Sequence, residues 1–178
     1  MKKNTKRAAL FASLVGIMAA TIECAKLALA AIPNVEAVTL LIALYSYSFG
    51  SMGFLSTIIF VMIEPLIWGF GPWIVSYFIY WPLVSIVFIL IGKKGIKNRI
   101  FLTLTAAVLT LFFGVLTSLV DIGLFSGAFD NFLYRFAVYY VRGVWFYIAQ
   151  FVTNIIVFPI LFIPAATLLF KIKRRLGI

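Results

Sequence analysis

Twelve of the fifteen Lys and Arg residues fall in three short clusters, at 2–7, 93–99 and 171–175, and the sequence between the clusters is hydrophobic. Lys and Arg beside an apolar span resist translocation and collect in cytoplasmic loops. The pattern predicts an all-α integral membrane protein whose basic segments share the cytoplasmic face. Composition removes the soluble alternative, because a chain that is 65% hydrophobic and 11% charged has too little polar surface to enclose its own core in water. A formal charge of +10 would suggest nucleic acid in a soluble protein. Here the charges flank apolar spans, so the expected partner is the lipid bilayer and not nucleic acid, with some attraction to anionic inner-leaflet lipid. Cys24 is the one cysteine and cannot form an intramolecular disulfide. The run 8–31 has the basic start of a signal peptide but is too long and lacks a convincing cleavage site, so it is read as a transmembrane helix.

A helix needs about 20 apolar residues to cross the hydrocarbon core. Six segments meet or approach that length, at about 8–31, 35–49, 54–68, 72–91, 100–125 and 144–170, within a single transmembrane domain 1–178. Asn34, after Pro33, is placed as N-cap of the second helix. Gly50 to Gly53 and the run Gly69-Phe70-Gly71-Pro72 separate the next two boundaries. Six crossings put both termini and the 93–99 loop on one side, the side of all three basic clusters. The segments 35–49 and 54–68 are short, roughly 23 Å each at 1.5 Å per residue, as spans beside a cavity often are. Phe129, Phe132, Leu133 and Phe136 recur at helical spacing, which predicts an outer interfacial helix over 128–142 or a tilted extension of the last span.

On this topology all five acids, Glu23, Glu36, Glu64, Asp121 and Asp130, lie in the outer half, together with Lys26, Arg135 and Arg142. That clustering predicts a polar site under the outer loops. Glu23 and Lys26, three apart, either pair with each other or reach a ligand. Glu36 is a ligand group or a first-turn carboxylate favoured by the helix dipole. Glu64, inside a span and without a cation nearby in sequence, is read as a pocket residue. Gln150 and Asn154 share a helix face and bond either to a neighbouring helix or to a ligand. Trp68, Phe70, Trp73 and Tyr77, with Tyr80 and Trp81 deeper, are more aromatics than an interfacial belt requires and suit a stacking pocket. The chain has no histidine, no phosphate-binding loop, and no acids or cysteine at metal-ligand spacing. Neither a metal nor a cofactor is expected, and catalysis is disfavoured by the lack of histidine and of paired acids. Two classes stand on the residues alone: a binding and transport subunit, or a membrane-embedded enzyme or assembly factor.

Several runs resemble one family. Ala8 and Ala12 form an Ala-x-x-x-Ala motif in the first helix, and Ile32-Pro33-Asn34-Val35-Glu36-Ala37-Val38-Thr39-Leu40-Leu41-Ile42 and Glu64-Pro65-Leu66-Ile67-Trp68-Gly69-Phe70-Gly71, followed by Trp73, Tyr77, Tyr80 and Trp81, look like the substrate-binding S component of an energy-coupling factor (ECF) transporter. The resemblance implies a non-enzymatic, multi-pass subunit of a prokaryotic plasma membrane that captures a vitamin or related micronutrient from outside. It implies docking through Ala8 and Ala12 on a membrane coupling subunit carried by two cytosolic ATPases, whose ATP hydrolysis drives uptake. Implied ligand contacts are Asn34, Glu36, Glu64, Trp68, Phe70, Trp73, Tyr77, Gln150 and Asn154. The last helix departs from the pattern, with Gly143-Val144-Trp145-Phe146 where a Pro and an acid are usual. Cobalamin, flavin-like and thiamin- or pyrimidine-like ligands all remain open.

Overall fold

The structure, a computed structural model, describes residues 2–32, 35–125 and 131–178. The described residues form six α-helices and no strand: α1 (Lys2–Leu29), α2 (Val38–Phe49), α3 (Ser51–Trp68), α4 (Trp73–Lys93), α5 (Arg99–Val120), continued by a π turn (Asp121–Phe125), and α6 (Phe132–Leu176). All except α2 are long and apolar enough to cross a membrane. Their outward faces carry large apolar side chains, among them Ile17, Met62, Leu90, Val108, Ile156 and Leu168, each more than half exposed. Such a surface matches lipid and would be costly in water.

Helix α2 departs from the expected 35–49. It begins at Val38 because the Glu36 carboxylate turns back to cap it, accepting the Thr39 backbone N–H at 3.0 Å and the Thr39 hydroxyl. Asn34, the expected cap, lies outside the described residues, as does Pro33. At 12 residues α2 is about 18 Å long, well short of a hydrocarbon core of about 30 Å. Its surroundings explain how this is tolerated: ten of its residues are buried, so neighbouring helices rather than lipid surround its ends. Gly53 of α3 and Gly92 of α4 make that enclosure possible. A Cβ on Gly53 would overlap the backbone of Tyr45 and Ser46, and one on Gly92 would overlap that of Tyr47. Close backbone approach through small residues is the usual means of packing helices in lipid. Ser46 and Ser85 share a hydroxyl hydrogen bond of 2.6 Å across the buried α2–α4 contact.

The C-terminal region differs more. The start of the expected helix over 128–142 lies outside the described residues, which exclude 126–130, and from Phe132 a single 45-residue helix runs through Gly143 to Leu176. Gly143 does not break it because the Tyr147 ring packs directly over that glycine and over Gly114 of α5, filling the space that side chains would occupy. Phe132, Phe136, Tyr140 and Tyr147 continue as a ladder of ring contacts at 5.5–6.3 Å. Over the described residues the segment is thus continuous with the last span.

The contacts bring the three basic clusters to one end. Gly92 at the end of α4 meets Tyr47 near the end of α2; Tyr47 Oη donates to the Ile96 carbonyl in the α4–α5 loop at 2.9 Å; and Lys173 Nζ donates to the Ser48 carbonyl at 2.9 Å. Lys26, near the end of α1, pairs with Glu64, near the end of α3. The start of α1 therefore lies at the same end as Ser51 and the basic loop.

Candidate ligand-binding site

The end opposite the basic clusters holds a cavity of about 250 Å³. All six helices contribute to it: Lys26 and Leu29 from α1 with Ala30 just after it, Val38 from α2 with Glu36 just before it, Trp68 from α3, Tyr77 and Trp81 from α4, Phe113 from α5 and Gln150 from α6. The wall is aromatic and mutually braced. Tyr77 meets Trp81 edge-on at 5.6 Å, both lie within 6.4 Å of Phe113, and Trp73 supports Tyr77 from behind at 5.0 Å. Edge-to-face contacts of this kind fix ring orientation as well as burying area.

The polar groups are few and placed on opposite sides. On one side Glu36 holds three partners: the Thr39 N–H and hydroxyl, and Gln150 Nε2, which donates to its Oε1 at 3.0 Å. Glu36 thus stands just before the helix, not in its first turn, accepts from Thr39 at the helix start and still faces the cavity. On the other side Lys26 ion-pairs with Glu64, and its ammonium lies 5.2 Å from the ring centres of both Trp68 and Tyr77. Lys26 therefore pairs across helices with Glu64, rather than with Glu23 one turn away. Glu23 is 7% exposed, and both of its oxygens lack a hydrogen-bond partner among the described residues.

The expected site residues divide accordingly. Glu36, Trp68, Tyr77 and Gln150 line the cavity. Glu64 is fully buried and reaches it only through Lys26. Trp73 braces the wall without lining it. Phe70 is 85% exposed and does not contribute, because Gly69, at φ 80°, ends α3 and turns the chain away. Asn154 lies one turn beyond Gln150, buried, and donates to Thr110 Oγ1 at 2.9 Å, which is the interhelical role. Lys26, for which the sequence offers a ligand role as one of two alternatives, and Trp81, the deeper part of the expected stacking pocket, also line the cavity, whereas Phe113 is a lining residue that the sequence does not single out. Trp81 carries the most direct sign of a ligand: it is 3% exposed, and its indole N–H has no partner. A buried donor without an acceptor is costly unless something arrives to accept from it.

On the outside of α1, Ala8 and Ala12 are exposed, and Gly16 and Ala20 continue the same i, i+4 row. The row forms a smooth strip about 18 Å long. A Cβ on Gly16 would meet nothing. Comparison with protein-family models, with curated proteins and with solved structures finds no significant match to this chain.

Proposed function

We propose that this chain is the substrate-capture subunit of an ECF-type vitamin transporter, a six-span protein of a prokaryotic plasma membrane with both termini cytoplasmic. The observation that carries the reading is the braced aromatic cavity with an unpartnered Trp81 N–H, lying at the end away from every basic cluster. Positive charge marks the cytoplasmic side, so on this reading the cavity opens outward, toward solute. A volume of about 250 Å³ falls just below the roughly 300–1,000 Å³ of sites for drug-sized ligands. That favours a one- or two-ring compound of thiamin or pyrimidine size over cobalamin. Flat rings stack on Tyr77, Trp81 and Phe113, while Glu36, Gln150 and Lys26 offer an acceptor, an amide and a cation at the edges. In this scheme the exposed row from Ala8 to Ala20 docks on a helix of the coupling subunit, since small side chains permit close approach in lipid. Two cytosolic ATPases supply the energy, as the sequence has no phosphate-binding loop.

The test is to purify the protein from cells, release whatever is bound and identify it by mass spectrometry. Trp81→Ala should weaken binding of the identified compound about tenfold or more, a loss of about 1.4 kcal/mol, and Phe70→Ala should leave it unchanged. Full affinity in Trp81→Ala, or loss in Phe70→Ala, would move the site elsewhere. Docking is tested separately: Ala8→Leu with Ala12→Leu should abolish uptake in cells while sparing binding.

A further inference from the structure

A second cavity, of about 360 Å³, lies at the basic end. Its walls are Tyr47 of α2, Gly92 and Gly95 at the end of α4, and Ile163, Ala166, Thr167 and Phe170 of α6. Its rim carries Lys97, Lys171 and Arg174. The α6 residues recur at helical spacing on one face, so the wall runs about 16 Å from Ile163 to Arg174. It is apolar at depth and cationic at the mouth.

Among the described residues no acidic side chain lies at this end. The four acids among the described residues, Glu23, Glu36, Glu64 and Asp121, belong to the far half of the bundle, and the one ion pair among the described residues is Lys26 with Glu64. Lys173, in the same C-terminal cluster, is committed to the Ser48 carbonyl and lies over the Phe49 ring, whereas Lys171 and Arg174 turn to the cavity. Three helix C-termini, those of α2, α4 and α6, also meet at this end and oppose an anion with roughly half a negative charge each. Three full positive charges on the rim outweigh those dipoles. The helices beside the cavity present lipid-facing side chains, Leu90 of α4 and Leu168 of α6 among them.

We propose that this cavity seats the headgroup of an anionic glycerophospholipid. The phosphate takes hydrogen bonds from Lys97, Lys171 and Arg174, and the glycerol and the first acyl carbons lie along Ile163, Ala166 and Phe170. A basic pocket between helices at headgroup depth is the arrangement by which membrane proteins select such lipids. The inference does not depend on what the opposite cavity binds.

The experiment uses the full chain in a neutral detergent, titrated with dihexanoyl phosphatidylglycerol, dihexanoyl phosphatidylcholine and inorganic phosphate, with bound molecules counted by native mass spectrometry. Phosphatidylglycerol should bind at least tenfold more tightly than either comparator. The Lys97→Gln, Lys171→Gln, Arg174→Gln variant should lose that preference. A control with the same loss of charge off the cavity, Lys93→Gln, Lys94→Gln, Arg175→Gln, should keep it. Thr167→Trp adds bulk at an exposed position of the wall without changing charge, and should weaken phosphatidylglycerol binding fivefold or more even if the triple variant fails to fold. Equal losses in the two triple variants would mean diffuse surface attraction and overturn the proposal. Phosphate binding as tight as the lipid would make this a free-anion site, and an unchanged Thr167→Trp would put the lipid elsewhere.

Discussion

Replacing Lys26 with Met tests how the interior of the bundle is held together. Lys26 is the hydrogen-bonding partner of Glu64, whose side chain is 0% exposed and whose other oxygen has none. Removing one member of a buried pair costs about 3–5 kcal/mol, because the remaining charge is stranded. The Lys26 side chain is itself 22% exposed, so water screens part of the pair and the lower end applies. Its ammonium also lies 5.2 Å from Trp68 and from Tyr77, each contact contributing about 0.5–1 kcal/mol, while Met keeps much of the aliphatic packing. The expected loss is about 4–5 kcal/mol. At about 2–4 °C per kcal/mol for a chain of this size, the unfolding midpoint in detergent should fall by about 8–20 °C. Adding Glu64→Gln removes the stranded charge and should restore about 2 kcal/mol. The assay is thermal unfolding followed by tryptophan fluorescence on both single variants and the double, without ligand. Additive effects, with a coupling below about 0.5 kcal/mol, would refute the account of Glu64 as a carboxylate held by Lys26.

Three further outcomes follow from the packing. Gly92→Leu should prevent folding, since its side chain would occupy the Tyr47 backbone, and expression with detergent-stable monodispersity as the readout should show none. Gln150→Leu strips Glu36 of a donor and should destabilise the ligand-free protein by about 1–3 kcal/mol; a smaller change in unfolding midpoint than about 2 °C would mean that water replaces the amide. Asn154→Leu leaves Thr110 with its own-helix bond to the Ala106 carbonyl, so ligand affinity should stay within twofold of the unchanged protein while thermal stability falls by about 1–2 kcal/mol.

The apolar runs and basic clusters were enough to read the five long helices, because lipid imposes the same requirement on each, while α2, enclosed by its neighbours, shows only as a short apolar run between breakers. Boundaries were less legible where a side chain acts across several residues. The sequence pattern places Glu36 inside the first turn of α2, whereas it stands before the helix and accepts from Thr39, so the helix starts three residues later than expected. The continuity of α6 rests on Tyr147 filling the space over Gly143, a tertiary contact invisible in a local pattern that reads Gly as a breaker. Half of the cavity was legible, since Glu36, Trp68 and Tyr77 cluster near span ends and Gln150 is a polar residue in an apolar helix. Local spacing offers Lys26 either Glu23 or a ligand, and only the α1–α3 packing shows that its partner is Glu64. Phe113 was missed because one Phe among the 19 in the chain carries no signal of its own.

Helix α6 measures roughly 67 Å at 1.5 Å per residue, more than twice a hydrocarbon core of about 30 Å. It walls both cavities, through Gln150 near one and Arg174 at the other, about 36 Å apart along the axis. A rod of this length tilting by about 10° about its midpoint moves each tip by about 6 Å. Pro159 lies between the two cavities and Pro164 at the near edge of the second, and they remove the amide protons that would otherwise bond the Ile155 and Ile160 carbonyls. The shaft is thus weakest between its two working ends, and bending there rather than tilting as a whole is the motion that its own hydrogen bonding resists least.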